Sequence, residues 1–191
     1  RLSTAAEAGR FLSDVADVVV RKVVSLTCTA FSEAHGGIPG GELHILALGK
    51  WGCHECTLIS DLDMIFVYHA PAEDSSSDGE KPLMAGAYYN RLAQRIIGML
   101  TALTREGRLY EVDTRLRPFG KDGPLVVTVE AFDKYYAESA WLVEKLALIR
   151  ARLITDSASS SAQSLMENIR KHLKKPYHAE DIRAGVSDVR K

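Results

Sequence analysis

Residues 49 to 68 read GKWGCHECTLISDLDMIFVY, and this stretch decides the fold. It begins with two glycines, Gly49 and Gly52, at which the backbone must turn or approach another group closely. It ends in an apolar run that predicts a strand opening with Asp61 and Asp63. Because side chains alternate along a strand, these two carboxylates project from one face, roughly 6.6 Å apart.

The patterns on either side predict a sheet with helices around it. Apolar residues at helical spacing alternate with short apolar runs, and glycines or prolines separate them. The first expected element is a helix at 5 to 33 that begins with a capping box at Thr4 and has an apolar face made of Leu12, Val15, Val19, Val23, Leu26 and Ala30. Strands are expected at 43 to 48 and 61 to 68, a helix at 86 to 106 that ends at Gly107, and strands at 109 to 116 and 125 to 128. Only helices are expected after that: one marked by Leu142 to Leu153, one by Leu165 to Leu173 that ends at Pro176, and one from Ile182 on.

This order predicts an α/β (α+β) fold, a small mixed sheet flanked by helices and followed by a helical extension. We expect an N-terminal helix at 1 to 35, a core at 36 to 137 and the extension at 138 to 191. The extension is expected to pack away from the sheet face that carries the aspartates. Because the chain opens with Arg1 and stops within a helical pattern, we interpret it as a fragment of a longer protein.

The composition excludes several classes of function. Among 191 residues, 46% are hydrophobic and 26% charged, with a net charge of −1, so the basic excess typical of nucleic-acid binding is missing. No apolar run reaches about 18 residues, which argues against a membrane span. The cysteines are three in number, a sparse and odd set that favours a reducing cytosol. We therefore expect a cytoplasmic protein.

A third carboxylate, Asp113, lies in the third predicted strand, on the same face as Arg115 and Arg117. If this strand pairs with the strand of Asp63, three hard oxygen ligands surround an open space, which suits Mg²⁺. Two such ions about 3.5–4 Å apart stabilise the attacking and leaving oxygens of an in-line displacement. The alternative is that Asp61 and Asp63 merely open a strand near solvent.

Three blocks of the sequence carry a family resemblance. They are LALGKWGCHECTLISDLDMIFVY at 46 to 68, LYEVDTRLRPFGKDGPLVVT at 109 to 128 and SAWLVEKLALIRARLI at 139 to 154. In this order they resemble the signature blocks of bacterial glutamine synthetase adenylyltransferases, members of the nucleotidyltransferase superfamily. The resemblance covers roughly residues 36 to 156 and implies a nucleotidyltransferase fold.

The resemblance also implies roles for individual residues. Asp61, Asp63 and Asp113 would be catalytic and would hold two Mg²⁺ ions, with Mn²⁺ as an alternative metal. The glycine turn, an open turn leading into a helix, would cradle a triphosphate with backbone N–H groups. The expected nucleotide-binding residues are Gly49, Lys50, Gly52, Ser60, Arg115 and Arg117.

For the cations, a second interpretation stays open. Lys50 either contacts phosphates or is a solvated surface lysine. Arg115 and Arg117 either pair with phosphate oxygens or neutralise the aspartates and brace the turn that follows. Arg150 and Arg152 are expected to be solvated or interdomain charges of a helix.

The main departures from the family pattern are Cys53, His54 and Cys56, which stand where a glycine, an arginine and a leucine are usual, and Val143, which replaces a tryptophan. The CxxC spacing is typical of metal or redox sites, but no second pair is present to complete a zinc site, so we expect none. His44 and His54 are expected to be non-catalytic.

The function implied by the resemblance is transfer of AMP from ATP to a tyrosine of glutamine synthetase. Enzymes of this family have a second, homologous half that removes AMP by phosphorolysis. The sequence patterns LYEVDTRLRP and ALIRAR in this chain resemble the attaching half more than the removing half. The alternatives are the removing half, a non-catalytic module that binds a nucleotide or a partner, and a nucleic-acid nucleotidyltransferase. The implied partners are ATP, glutamine synthetase and, in the full-length enzyme, a nitrogen-signalling regulatory protein.

Overall fold

The structure is a computed structural model that describes residues 4 to 155 and 158 to 174. No helix within these ranges combines the length and hydrophobicity needed to cross a bilayer. The elements, in chain order, are α1 (Ala5–His35), β1 (Glu42–Ala47), α2 (Gly49–Gly52), β2 (Leu62–His69), α3 (Ala85–Thr101), β3 (Val112–Asp113), β4 (Val126–Thr128), α4 (Val129–Glu138), α5 (Leu142–Ala147), β5 (Arg152–Leu153) and α6 (Ser160–Leu173), with 3₁₀ turns at Gly120–Asp122 and Leu148–Arg150.

The sheet is small and mixed, as the sequence predicted. β1 is antiparallel to both β2 and β5, while β2 is parallel to both β3 and β4. β1 occupies one edge of β2 from Met64 to His69, and β3 and β4 share the other edge. Together they form one interrupted strand, and the segment at 114 to 125 loops out between its two halves. This loop carries most of the basic residues of the candidate site.

Helices cover both faces of the sheet. Leu62, Met64 and Phe66 of β2 pack in one core with α1 and α3, whereas Ile65 and Val67 pack in a second core with α4 and α6. Asp63 alternates with Met64 and therefore belongs to the second face. The expectation that the C-terminal helices avoid the aspartate face is thus wrong: α6 packs on that face, farther along β2.

The first helix begins as predicted but buries a different face. The capping box is confirmed, with Thr4 N–H donating to Glu7 at 2.9 Å and Glu7 N–H donating to Thr4 Oγ1 at 3.2 Å. Val15 and Leu26, expected in the core, are exposed. The buried side of α1 instead includes polar residues that bond elsewhere in the fold, and its members are Gly9, Ser13, Ala16, Asp17, Val20, Val23, Thr27 and Phe31.

The predicted helix at 86 to 106 ends early, at Thr101. In a continuing helix the Thr104 N–H would donate to Leu100, but it donates to the Gly107 carbonyl at 2.8 Å. The Leu100 carbonyl accepts instead from Tyr110 N–H at 3.1 Å. Gly107, with φ of 105°, belongs to the tight turn that follows rather than to the helix end.

The predicted strand at 109 to 116 is only two residues long, β3. Asp113 Oδ1 accepts from the Arg115 backbone N–H at 2.8 Å, which turns the chain in the manner of an Asx-turn. A second turn follows, in which Arg117 N–H donates to the Thr114 carbonyl. The assumption that Asp113, Arg115 and Arg117 share a strand face is therefore wrong.

The prediction that only helices follow Val129 is wrong at one place. The helix expected from Leu142 to Leu153 ends at Ala147, and after a 3₁₀ turn the chain pairs with β1 as β5. The free edge of β1 accounts for this, since its backbone groups need partners. Helix α6 is present, while Pro176 and the helix expected from Ile182 lie outside the described residues.

Candidate active site

Asp63 and Asp113 lie directly opposite each other in the parallel pair β2–β3. Paired residues of neighbouring strands share a face, so both carboxylates project from the same side of the sheet. Asp61, just before β2, is exposed. Burial raises the pKa of Asp63, and the negative charges of Asp113 and Asp61 raise it further. The three carboxylates therefore share one electrostatic environment.

Arg115 holds both carboxylate oxygens of Asp113. Its backbone N–H donates to Oδ1 at 2.8 Å, and its Nε donates to Oδ2 at 2.7 Å, with a second guanidinium contact to the same oxygen. These bonds keep the pKa of Asp113 below its usual range. Within 4 to 155 and 158 to 174, no three His, Cys, Asp or Glu side chains lie close enough together to hold a metal ion. As it stands, the aspartate group is open and partly neutralised by Arg115.

Asp61 and Asp113, but not Asp63, border a cleft of about 480 Å³ with walls of both charges. Asp61, Asp113 and Arg115 line it together with Lys121. The positive charge of Lys121 contributes to the low pKa of Asp113, and Lys50 partly offsets the rise in the pKa of Asp63. Lys121 was not among the predicted site residues. Its position between Gly120 and Gly123 of the second signature block could have indicated it.

Gly49 is explained by its contact with Asp63. Its φ of 54° is one that glycine tolerates best, and a Cβ there would collide with the Asp63 carboxylate. The Leu48 N–H also donates to the Asp63 carbonyl at 2.9 Å. The start of α2 is thus fitted closely against the aspartate on β2.

Gly52 is explained by packing at the other end of α2. A Cβ there would collide with the carbonyl oxygen of Arg150, and its N–H donates to the Leu48 carbonyl at 2.8 Å. The Gly52 N–H is therefore used within the fold. A nucleotide-binding role for Gly49 and Gly52 stays a prediction.

Two other predicted nucleotide-binding residues are engaged locally. The Ser60 hydroxyl accepts from Thr57 N–H at 2.9 Å and pairs with the Thr57 hydroxyl. Arg117 donates to the carbonyls of Thr114 at 3.0 Å, Lys121 at 3.2 Å and Gly123 at 3.4 Å. Arg117 therefore braces the loop, which was one of its two predicted roles, while Arg115 neutralises an aspartate.

Arg152 is not a solvated charge. It donates to the Asp17 carboxylate through both terminal nitrogens, one of them at 2.9 Å, and to the Trp51 carbonyl at 3.1 Å. The Trp51 indole donates to the same carboxylate at 2.9 Å. This buried network joins α1, α2 and β5 beneath the site. Arg150, in contrast, is exposed as expected.

The cysteine and histidine departures pack within the fold. Cys56 is buried, and its N–H donates to Ser13 at 3.2 Å. His54 lies 3.3 Å from an Asp14 carboxylate oxygen. His44 is buried in β1, with Nε2 at 2.8 Å from the Ser161 hydroxyl, which also contacts Glu42. None of these groups reaches the cleft of the aspartates.

Comparison with known proteins identifies the relatives of this chain. Proteins named "bifunctional glutamine synthetase adenylyltransferase/adenylyl-removing enzyme" match it at 40% identity over 97% of the chain in Mesorhizobium japonicum and at 40% over 98% in Bartonella quintana. The relative from Bartonella henselae matches at 45% over 78% of the chain. These alignments span 19%, 19% and 15% of the relatives, respectively.

The family model described as glutamate-ammonia ligase adenylyltransferase matches residues 1 to 167. This match includes both strands that carry the aspartates and the loop between β3 and β4. The chain belongs to the glutamate-ammonia ligase adenylyltransferase family.

Proposed function

We propose that this chain transfers AMP from ATP to a tyrosine of glutamine synthetase in a Mg²⁺-dependent reaction. The observation that carries the proposal is the direct pairing of Asp63 with Asp113, with Asp61 beside them and Lys50, Arg115 and Lys121 around them. An acidic centre bordered by cations suits a nucleoside triphosphate with its metal. The names of the relatives supply the acceptor protein.

The donor chemistry fits Mg²⁺. In the described part of the chain, no cationic side chain forms an ion pair with the half-buried Asp63, whose pKa is raised. Mg²⁺ keeps several waters and needs only one or two carboxylates besides substrate phosphates. Asp61, Asp63 and Asp113 would hold it. Because the three carboxylates are not close enough together in this structure, they would have to approach one another as Arg115 turns away from Asp113. The metal would neutralise charge on the transferring phosphate and on the leaving pyrophosphate.

Arg115 would exchange one anion for another during substrate binding. The Arg115 side chain is 68% exposed and can return to solvent, whereas the Asp113 side chain, only 15% exposed, would need the metal as its new cation. A guanidinium freed in this way can pair with phosphate oxygens in the cleft. Lys50 and Lys121 would add positive charge on either side of the same anion.

The attacking tyrosine must lose its proton. The unperturbed pKa of a tyrosine hydroxyl is about 10, so the hydroxyl is protonated at neutral pH. Another group must therefore accept the proton as the oxygen attacks the α-phosphorus and pyrophosphate leaves. A metal held on the Asp113 side would lower the pKa of the tyrosine hydroxyl, and a carboxylate of the site that does not bind the metal would accept the proton.

The second candidate is phosphorolytic removal of AMP. The relatives are named for both activities, and the chain spans only about a fifth of their length. Phosphate would attack the phosphorus of AMP-tyrosine, the bond to the tyrosine oxygen would break and that oxygen would take up a proton. ADP would be the product, and the same carboxylates and cations would serve both reactions. Our preference for the attaching reaction rests on the residue pattern of the signature blocks.

One experiment separates these candidates. The chain is incubated with Mg²⁺, α-labelled ATP and unmodified glutamine synthetase, and separately with phosphate and adenylylated glutamine synthetase. Label on the protein in the first reaction supports the attaching assignment. ADP release in the second reaction alone contradicts it while leaving the aspartate site intact. Failure of both reactions, with no Asp63-dependent binding of ATP, would refute the proposed function.

A further inference from the structure

A second cleft adjoins the first, and three aromatic side chains form part of its walls. It has a volume of about 850 Å³, within the range of small-molecule sites, and Phe119, Tyr135 and Trp141 line it together with Lys121. Phe119 and Trp141 are 56% and 67% exposed, so both leave large apolar surfaces in water. Two such rings in one concave surface are typical of a binding site.

Phe119 is held in an unusual backbone conformation. Its φ is 62°, a left-handed value that is costly for a bulky residue. Its ring meets Tyr135 edge-on, with the centroids 4.5 Å apart. A Cβ at Gly123 would lie only 2.7 Å from that of Phe119, so the loop has little room to relax. The strain and the packing fix the exposed ring in one place.

Hydrogen bonds hold the part of the cleft around Trp141 and Tyr135. The Trp141 backbone N–H donates to Glu144 at 2.8 Å, and the Tyr135 hydroxyl donates to both oxygens of the same carboxylate at 2.8 Å. Glu144 thereby ties the start of α5 to α4. The indole itself is free to contact a ligand.

Lys121 lines both this cleft and the cleft of the aspartates. The two clefts therefore adjoin, with a cation at their common border. A ligand that fits both has a flat ring at one end and phosphates at the other. Among the substrates of the proposed reaction, the nucleotide has this shape.

We infer that the aromatic cleft binds the nucleobase of the nucleotide, with Phe119 and Trp141 as stacking surfaces and Lys121 between base and phosphates. This inference rests on the proposed function. Aromatic side chains are common platforms for bases, because every base has a π-face. The competing occupant is an aromatic side chain of the acceptor protein.

The test compares two ligands on the whole 191-residue chain. Binding of ATP and of inorganic tripolyphosphate is measured calorimetrically in Mg²⁺ for the wild type, Phe119→Gly and Trp141→Ala. Glycine suits the left-handed backbone at position 119, so that variant should fold. Leu103→Ala is the control, since Leu103 is 77% exposed but lies outside both clefts.

We expect each aromatic variant to bind ATP at least about 10-fold more weakly, because base–aromatic stacking contributes roughly that much. Tripolyphosphate binding should stay within about twofold of wild type, as it lacks a base. ATP should also quench the fluorescence of the exposed Trp141 and spare the buried Trp51.

Unchanged ATP affinity in both aromatic variants would overturn the inference. If these variants instead raised the KM for glutamine synthetase, the cleft would belong to the protein substrate. If Asp63→Asn loses ATP binding and the aromatic variants keep it, the nucleobase site is refuted while the proposed function stands. Failure of the wild type to bind either ligand refutes the proposed function as well.

Discussion

Asp63 and Asp113 are direct partners across β2 and β3, although a loop, the helix α3 and a turn separate them along the chain. Burial raises the pKa of Asp63, and repulsion by the negative charge of Asp113 raises it further. Such an arrangement is costly unless a cation compensates it. The fold therefore maintains an acidic pair that stability alone does not explain.

Replacing Asp63 by Asn should lower AMP transfer by at least about 100-fold, since it removes a charged metal ligand. In the absence of metal the melting temperature should stay the same or rise, because repulsion with Asp113 is relieved. Asp74→Asn, in an exposed loop, is the matched control and should leave both unchanged. Full activity of Asp63→Asn would contradict the metal assignment.

Arg115 and Arg117 should respond differently to replacement by Ala. Arg115→Ala should reduce kcat/KM for ATP about 10- to 100-fold. With Mg²⁺ present the melting temperature should change little, because the metal replaces Arg115 as the cation beside Asp113. Arg117→Ala should lower the free energy of unfolding by about 2 kcal/mol, because it bonds three loop carbonyls. Activity assays and thermal melts on both variants decide the question, and identical profiles would argue against separate roles.

Arg152→Ala should destabilise the chain by about 3 kcal/mol, since it leaves the buried Asp17 carboxylate with only the largely exposed Arg21, 3.6 Å away, as a cation. Arg150→Ala removes the same kind of side chain from an exposed position and should change stability by less than about 0.5 kcal/mol. Urea unfolding of the pair measures the difference. Equal effects would mean that the network under α2 contributes nothing.

Gly52→Ala should cost about 1–3 kcal/mol, because the added methyl group meets the Arg150 carbonyl and neither backbone segment can easily move. Gly98 lies inside α3 with nothing within 4 Å of its Cβ position. Gly98→Ala should therefore stabilise the chain by about 0.5–1 kcal/mol. In chemical unfolding, the free energy of unfolding should fall for Gly52→Ala and rise for Gly98→Ala. An unchanged free energy of unfolding for Gly52→Ala would refute the close approach of residue 52 to the Arg150 carbonyl.

Acid should destabilise the fold in part through His44. Burial lowers its pKa below 6.5, Glu42 partly opposes this shift, and His69 adds to it. At pH values between the pKa of His44 in the folded chain and 6.5, the unfolded chain binds more protons than the folded chain. The contribution of neutral His44 to the free energy of unfolding is therefore complete above pH 6.5 and is lost as the pH falls through the pKa of the folded chain. His44→Gln should make the unfolding free energy less dependent on pH in that window. An unchanged pH dependence would contradict the assignment.

The sequence by itself determined the elements whose signals are local. The capping box joins two residues one turn apart, and the apolar runs of β1 and β2 need no distant partner to be recognised. The order of the signature blocks likewise identified the family. Local hydrogen bonding and periodicity carry such information directly in the chain.

Only the tertiary structure decided where those elements stop and what lies between them. The strand of Asp113 is short because Arg115 closes a turn on the aspartate, and β4 then takes the remaining edge of β2. That interruption brings Phe119 and Lys121 to the site. The buried face of α1 could not be predicted from periodicity either, because the close hydrogen-bond partners of the buried Asp17 are Arg152 and Trp51, which lie far away along the chain. Burial of a polar group depends on partners that lie far away along the sequence, and these meet only in the folded chain.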